Sequence, residues 1–123
     1  MRPRRRRLIL AAVVPLLLGS RPSFSRITFS NTLATPVTVT ESYGDRPGRR
    51  VTAWPGASEY LEYLARNVGL MGCVAVAQIP AGLTGWVVSD PSGRRVFVPS
   101  GRLDRLYVAI TLSERDFARG RLE

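Results

Sequence analysis

Residues 36–43 read PVTVTESY and carry the clearest secondary-structure signal in the chain. Four residues share one face of this segment, namely Val37, Val39, Glu41 and Tyr43. Alternation with a period of two, in a stretch rich in β-branched residues, predicts a β-strand. The sequence GDRPG at 44–48 follows, and it predicts a turn because Pro pre-sets φ and Gly tolerates positive φ.

Further strands are predicted on both sides of this one. They are 26–30, 49–54, 70–79, 85–89, 94–98 and 105–112. The run 70–79 is almost entirely apolar, which predicts a strand buried on both faces. The sequence DPSG at 90–93 predicts a hairpin with a four-residue loop. In the last strand we expect Val108 and Ile110 to be among the most buried residues, whereas Arg94 should lie on an exposed turn.

Two segments have helical character. Segment 57–67 has apolar residues at helical spacing and Ser58 as a possible cap, but its position between Pro-Gly and the next strand favours a strand. Segment 113–119 predicts a short helix, because Ser113 is a favoured N-cap and acidic residues occupy the first turn.

This succession of about seven or eight short strands predicts a mainly β fold, a small antiparallel β-sandwich of immunoglobulin-like or similar type. The opening pattern Phe29-x-Asn31, followed by Pro36-Val37-x-Val39, is common in secreted sandwiches of this kind. The Cys–Trp–Cys core of true immunoglobulin domains is absent, because Cys73 is the only cysteine.

The N-terminal residues 1–25 read as a secretory signal peptide. A basic start, MRPRRRR, precedes eleven uncharged and mostly apolar residues at 8–18, and such a segment is too short to span a bilayer as a helix. Small residues at Ser23 and Ser25 suggest cleavage after Ser25, with cleavage after Ser20 as a poorer fit to the usual pattern. Residues 26–123 then form one domain. A retained membrane anchor and a basic nucleic-acid-binding arm are the alternatives.

Cleavage would change the charge of the protein. The whole chain has 18 basic residues, all of them Arg, against 9 acids, for a net charge of +9. Removing 1–25 takes away six Arg and leaves a net charge of +3. Nucleic acid is therefore not the expected partner, because the basic excess belongs mostly to the export segment.

Missing residue types exclude several chemistries. The chain has no His and no Lys, and it has a single Cys. Imidazole-dependent triads, Schiff bases, thiolate zinc clusters and intrachain disulfides are therefore excluded. We predict a protein that is not an enzyme and that uses no cofactor and no metal.

Candidate binding residues are aromatic or cationic. Trp54, Trp86, Tyr43, Tyr60 and Tyr63 form either a platform for a sugar or peptide or parts of the core. A second set occurs as two pairs, Arg49–Arg50 and Arg94–Arg95. These arginines either meet an anionic partner or protect edge strands from aggregation.

Two weaker candidates complete the set. Glu59 and Glu62 would share a face in a helix, as in a glycosidase acid pair, but would point apart in a strand. Cys73 lies within an apolar run and is expected to be a small buried residue, with an intermolecular disulfide as the alternative.

The sequence thus predicts a small exported binding or accessory protein of the cell envelope, periplasm or extracellular space, with a protein or glycan as its partner. A membrane-anchored assembly subunit is the first alternative, and a basic nucleic-acid-binding protein is the second. Contact with a membrane is expected only through residues 8–18, where these are not removed.

Overall fold

The computed structural model describes residues 23–122, which form a mainly β structure with one α-helix. The strands are β1 (Ser23–Asn31), β2 (Val37–Tyr43), β3 (Arg46–Ala53), β4 (Ser58–Val68), β5 (Val74–Ala77), β6 (Gly85–Ser89), β7 (Arg95–Pro99) and β8 (Tyr107–Leu112). The helix α1 is Glu114–Arg119. The predicted signal peptide lies outside the described residues except for Ser23–Ser25, which belong to β1.

The strands form two four-stranded sheets. Sheet I has the order β5-β4-β1-β8, and sheet II has the order β3-β2-β6-β7. Residues of both sheets contribute to one hydrophobic core. This two-sheet, sandwich-like arrangement agrees with the mainly β fold expected from the alternating strands.

One strand pair departs from the expected antiparallel pattern. β1 is antiparallel to β4 but parallel to β8, with Arg26 opposite Tyr107 and Asn31 opposite Leu112. The Thr32 Oγ1 donates a hydrogen bond to the Leu112 carbonyl at 2.6 Å across 80 residues of sequence. The first and last strands of the described chain are therefore neighbours.

The core is built from the inward faces of the alternating strands. Its largest fully buried apolar side chains are Trp86, Phe29, Ile27, Leu112, Val37, Val39, Val88, Val96 and Val98. The side chains of 37 and 39 face inward as the sequence predicts, because alternate residues of a strand point to one face.

Segment 57–67 is a strand and not a helix. Within β4, Leu61 and Tyr63 are buried, whereas Tyr60, Glu62 and Leu64 are exposed. The preference for a strand over a helix is thus confirmed.

The prediction of a doubly buried strand at 70–79 is wrong. Leu70–Gly72 is a short 3-10 turn, and only Val74–Ala77 is a strand, at the edge of sheet I. An apolar run alone cannot distinguish a central strand from an exposed turn followed by an edge strand. Val108, near the start of β8, is also less buried than expected, whereas Ile110 and Leu112 farther along the same strand are buried.

The C-terminal predictions are confirmed more closely. β6 and β7 form an antiparallel hairpin, although strand pairing starts at Arg95 and leaves Asp90–Arg94 as the connection. The helix α1 has a capping box between Ser113 and Asp116, and it ends at Gly120 with φ of 77°. Both caps satisfy backbone groups at the helix ends. Within 23–122, none of the helices is long and apolar enough to cross a membrane.

We predict that Ile110→Ala lowers the free energy of unfolding by about 2–5 kcal/mol, because it leaves a cavity in the core. Thr111→Ala is the matched control in the same strand, since Thr111 is exposed and its truncation should cost no more than about 0.5 kcal/mol. Urea denaturation followed by circular dichroism measures both values. Equal losses in the two variants would contradict this assignment of the core.

Candidate functional site

The structure does not assemble the predicted aromatic platform. Trp86 has 0% exposure and lies in the core, whereas Trp54 is 63% exposed beyond the end of β3. Tyr63 is buried, Tyr43 is half-buried, and Tyr60 is exposed on the outer face of sheet I. The reading of Trp86 as a core residue is the one that its position supports.

A buried carboxylate lies where the two sheets meet. Glu41 in β2 is 2% exposed, and its Oε1 accepts the Arg49 backbone N–H at 2.8 Å. Its Oε2 accepts Arg49 Nη2 at 2.8 Å and also the Tyr63 hydroxyl. The Trp86 Nε1 donates to that hydroxyl at 2.8 Å. These four residues, the Glu41 network, connect β2, β3 and β6 of sheet II with β4 of sheet I.

Local backbone geometry makes this network possible. The pairing of β2 with β3 changes register between Thr40 and Ser42, which marks a bulge in β3, where Gly48 and Arg49 stand opposite Glu41. A Cβ atom on Gly48 would lie 2.7 Å from Glu41 Oε1 and 2.6 Å from Tyr43 Cε2. Glycine at this position therefore allows β3 to approach the carboxylate closely enough for the Arg49 N–H to reach it.

The charge state of the network follows from its contacts. Burial raises the pKa of Glu41, but hydrogen bonds from Arg49 and Tyr63 outweigh it, so the pKa lies below its ordinary value. Burial also raises the pKa of Tyr63, which keeps its hydroxyl protonated as a donor.

The Trp86 ring packs edge-on against both Phe29 and Tyr63, with centroids 6.1 Å apart in each pair.

Part of the predicted binding set does come together, in a shallow groove between β3 and β4. The groove is lined by Arg49, Arg50, Val51, Tyr60, Leu61 and Glu62. The Arg49 guanidinium also donates to the Glu62 carbonyl at 3.1 Å. Arg50 is exposed and has no ion pair among residues 23–122. We call this set of lining residues the β3–β4 groove.

The outer face of sheet I continues this cluster. Arg26 forms an ion pair with Glu62 at 2.7 Å, and its guanidinium lies 4.0 Å above the centre of the Tyr60 ring. A cation over a tyrosine face is attracted by the ring quadrupole. These contacts with Arg26 hold Glu62 and the Tyr60 ring in place in the lining of the groove.

The second arginine pair has a different environment from the expected one. Arg94 does not lie free on a turn, because its Nε donates to the buried Asp90 at 2.8 Å and its Nη1 contacts Glu114. Asp90 also accepts the backbone N–H groups of Ser92 and Arg94. Arg94 therefore ties the β6–β7 hairpin to α1, and only Arg95 of this pair is exposed.

The remaining candidates stay apart or change role. Glu59 and Glu62 point to opposite faces of β4, as residues three apart in a strand must. Cys73 was expected to be buried, but it is exposed beside the 3-10 turn, with its Sγ 3.1 Å from the Leu70 carbonyl. In the part of the chain that the structure describes, no group of three or more acidic or cysteine side chains is placed to hold a metal ion.

The sequence contained a signal for the Glu41 network. Glu41 shares the inward face of β2 with Val37 and Val39, and an acid on a core face requires partners because burial of an unpaired charge is costly. The identity of those partners depends on how β2, β3 and β4 approach each other. The relative positions of these strands cannot be predicted from the local sequence.

Comparison of this chain with protein-family models, curated proteins and solved structures finds no match. Its function is therefore inferred from its own residues.

We predict that stability falls in acid because of Glu41. Its folded pKa is lowered, so its contribution is fully present above the ordinary value of 4.5 and is lost as the pH falls through the lower folded value. Glu41→Gln should cost at least about 2 kcal/mol at neutral pH, because buried donors lose a charged acceptor. It should also flatten the dependence of the unfolding free energy on pH below 4.5.

Tyr63→Phe is the control for this prediction. It keeps the carboxylate but removes one donor and the acceptor of Trp86 Nε1, so it should destabilise the protein while retaining most of the pH dependence. Urea titrations at several pH values measure both effects. An unchanged acid slope in Glu41→Gln would show that the network does not control acid stability.

Proposed function

We propose that this chain is a small exported binding protein, not an enzyme, whose ligand site is the β3–β4 groove. The observation that carries the proposal is the convergence of Arg49, Arg50 and Tyr60 in this groove. An exposed guanidinium beside an aromatic ring suits an anionic group, such as a sulfate or carboxylate on a glycan or protein. We further propose an immunoglobulin-like class for the two sheets, without the cysteine pair.

The environments of the acids support a non-catalytic role. A carboxylate-based hydrolase needs an acid and a base that face a substrate. Glu41 is occupied by Arg49 and Tyr63, while Asp90 is occupied by Ser92 and Arg94. These buried carboxylates hold strands and turns together.

The structure of β1 bears on where an export signal would be removed. Ser23, Phe24 and Ser25 pair with Ala65, Leu64 and Tyr63 of β4, and Ser25 is fully buried. A cut after Ser25 would take away this part of the strand, whereas a cut after Ser20 would leave it intact. We therefore favour cleavage after Ser20.

We predict that the protein made in its own cell is found outside the cytosol with Arg21 as its first residue. Cell fractionation and N-terminal sequencing of the purified protein measure both properties. An intact N-terminus on cytosolic protein would refute export, and an intact N-terminus on membrane-bound protein would favour the anchored subunit. A first residue of Arg26 would refute only the cleavage position.

We predict that the groove binds sulfated polysaccharide through Arg50. On a heparin column, Arg50→Ala should elute at a clearly lower salt concentration than the parent, because it removes a cation without an ion partner from the groove. Arg102→Ala is the matched control, since it removes an arginine that is also exposed but does not line the groove. Equal shifts in the two variants would mean that only net charge matters and that the groove is not the site.

A further inference from the structure

Exposed apolar side chains are concentrated at one end of sheet I. At this end β1 and β8 begin, β4 ends, and β5 begins. Six of the nine large hydrophobic residues that are exposed in the described chain lie here, namely Phe24, Leu64, Leu70, Met71, Val74 and Tyr107. We call these six residues the apolar end. A concentration of exposed apolar side chains is the kind of surface that marks an interaction site.

The outermost part of the apolar end is the 3-10 turn between β4 and β5. Leu70 and Met71 are 85% and 92% exposed, more than the other exposed hydrophobic residues. Met71 has φ of 59° and is the single non-glycine residue with positive φ in 23–122. Its backbone conformation is unfavourable for a side chain of this size. The turn therefore presents two adjacent apolar side chains to solvent at a conformational cost.

The apolar surface extends from this turn onto the sheet. Phe24 and Leu64 are direct partners across β1 and β4, so they lie side by side on the outer face. Arg66 lies two residues farther along β4 on that same face, is exposed, and makes no ion pair with the described residues. The apolar end thus combines protruding hydrophobic groups with an available cation.

The short sequence separation between segment 8–18 and the start of β1 indicates what this end faces. The apolar segment 8–18 is separated from Ser23 by only four residues, 19–22. Such a connection spans at most about 18 Å when fully extended. While segment 8–18 is in a membrane, before cleavage or as a retained anchor, Ser23 and the apolar end beside it must stay close to the bilayer surface.

We propose that the apolar end docks on an anionic lipid bilayer. Leu70 and Met71 enter the headgroup region, Phe24 and Leu64 follow at the surface, and Arg66 meets lipid phosphate. Apolar side chains combined with a basic residue are the features that bind proteins to such surfaces. The apolar end shares no residue with the β3–β4 groove. Membrane contact is thereby assigned to the folded domain itself and not only to the export segment.

The test is co-sedimentation of the protein, as its own cell makes it, with phosphatidylcholine vesicles that contain phosphatidylglycerol. The Leu70→Ser, Met71→Ser double variant should lose at least about tenfold in affinity for the vesicles, because it removes the inserting groups. Trp54→Ser is the matched control, because it removes an exposed aromatic residue in the turn that contacts Asn31, at the opposite end of β1. This variant should bind the vesicles as the parent does. Absence of parent binding, or equal loss in the two variants, would overturn the proposal.

A second measurement reports on the 3-10 turn itself. In a Trp54→Phe background, Met71→Trp places a fluorophore in the turn, and its emission should shift to shorter wavelength when the vesicles are added. In the parent, whose tryptophans are Trp54 and the buried Trp86, the emission should not shift. No shift at position 71 would overturn the proposal even if the protein sediments with lipid. A lipid-independent dimer that the double variant abolishes would assign the apolar end to self-association instead.

The two proposals can fail separately. Unprocessed cytosolic protein would refute export, but its folded domain could still be tested on vesicles. Exported protein that gives no fluorescence shift at position 71 would refute membrane docking alone.

Discussion

The Glu41 carboxylate accepts hydrogen bonds from Arg49 in sheet II and from Tyr63 in sheet I, deep between the strands. A buried carboxylate is tolerated only where donors replace the water that it loses. This requirement fixes β3 and β4 relative to β2, and through the Tyr63 hydroxyl it also fixes the Trp86 ring. The aromatic packing against Phe29 and the floor of the β3–β4 groove both depend on this arrangement. A domain without an internal disulfide thereby gains a polar connection across its core.

Local pattern was sufficient for much of the fold, because alternation in 36–43 and 105–112 reports directly on which face is buried. It also favoured a strand at 57–67, where helical spacing competed with the Pro-Gly turn that precedes the segment. The same pattern placed Glu41 on an inward face. It could not predict the partners of Glu41, because Arg49 and Tyr63 reach the carboxylate from other strands. Pairing between distant strands is not visible in the local sequence pattern. The β3–β4 groove was missed as a unit for the same reason.

Hydrophobicity misled where burial depends on position in the sheet. Residues 70–79 are as apolar as a central strand, yet Gly69 and Gly72 adopt positive φ and turn the chain outward before β5. Cys73 follows this turn and is exposed with it. The prediction for Arg94 was wrong in the opposite sense. Its position on a turn predicted exposure to solvent, whereas its guanidinium forms ion pairs with Asp90 and with the distant Glu114. In each case the deciding neighbours are set by topology and not by the residue's own type.

The parallel pairing of β1 with β8 has a consequence for how the chain folds. Of the eight strands, β1 is made first and β8 last, so one edge of β1 has no partner until the other strands have been synthesised. Contacts between residues so far apart in sequence slow folding, because a long loop must be closed before they form. Completion of the fold therefore requires that all eight strands have been synthesised. A chain that leaves the cytosol while it is being made would cross the membrane before this domain could close.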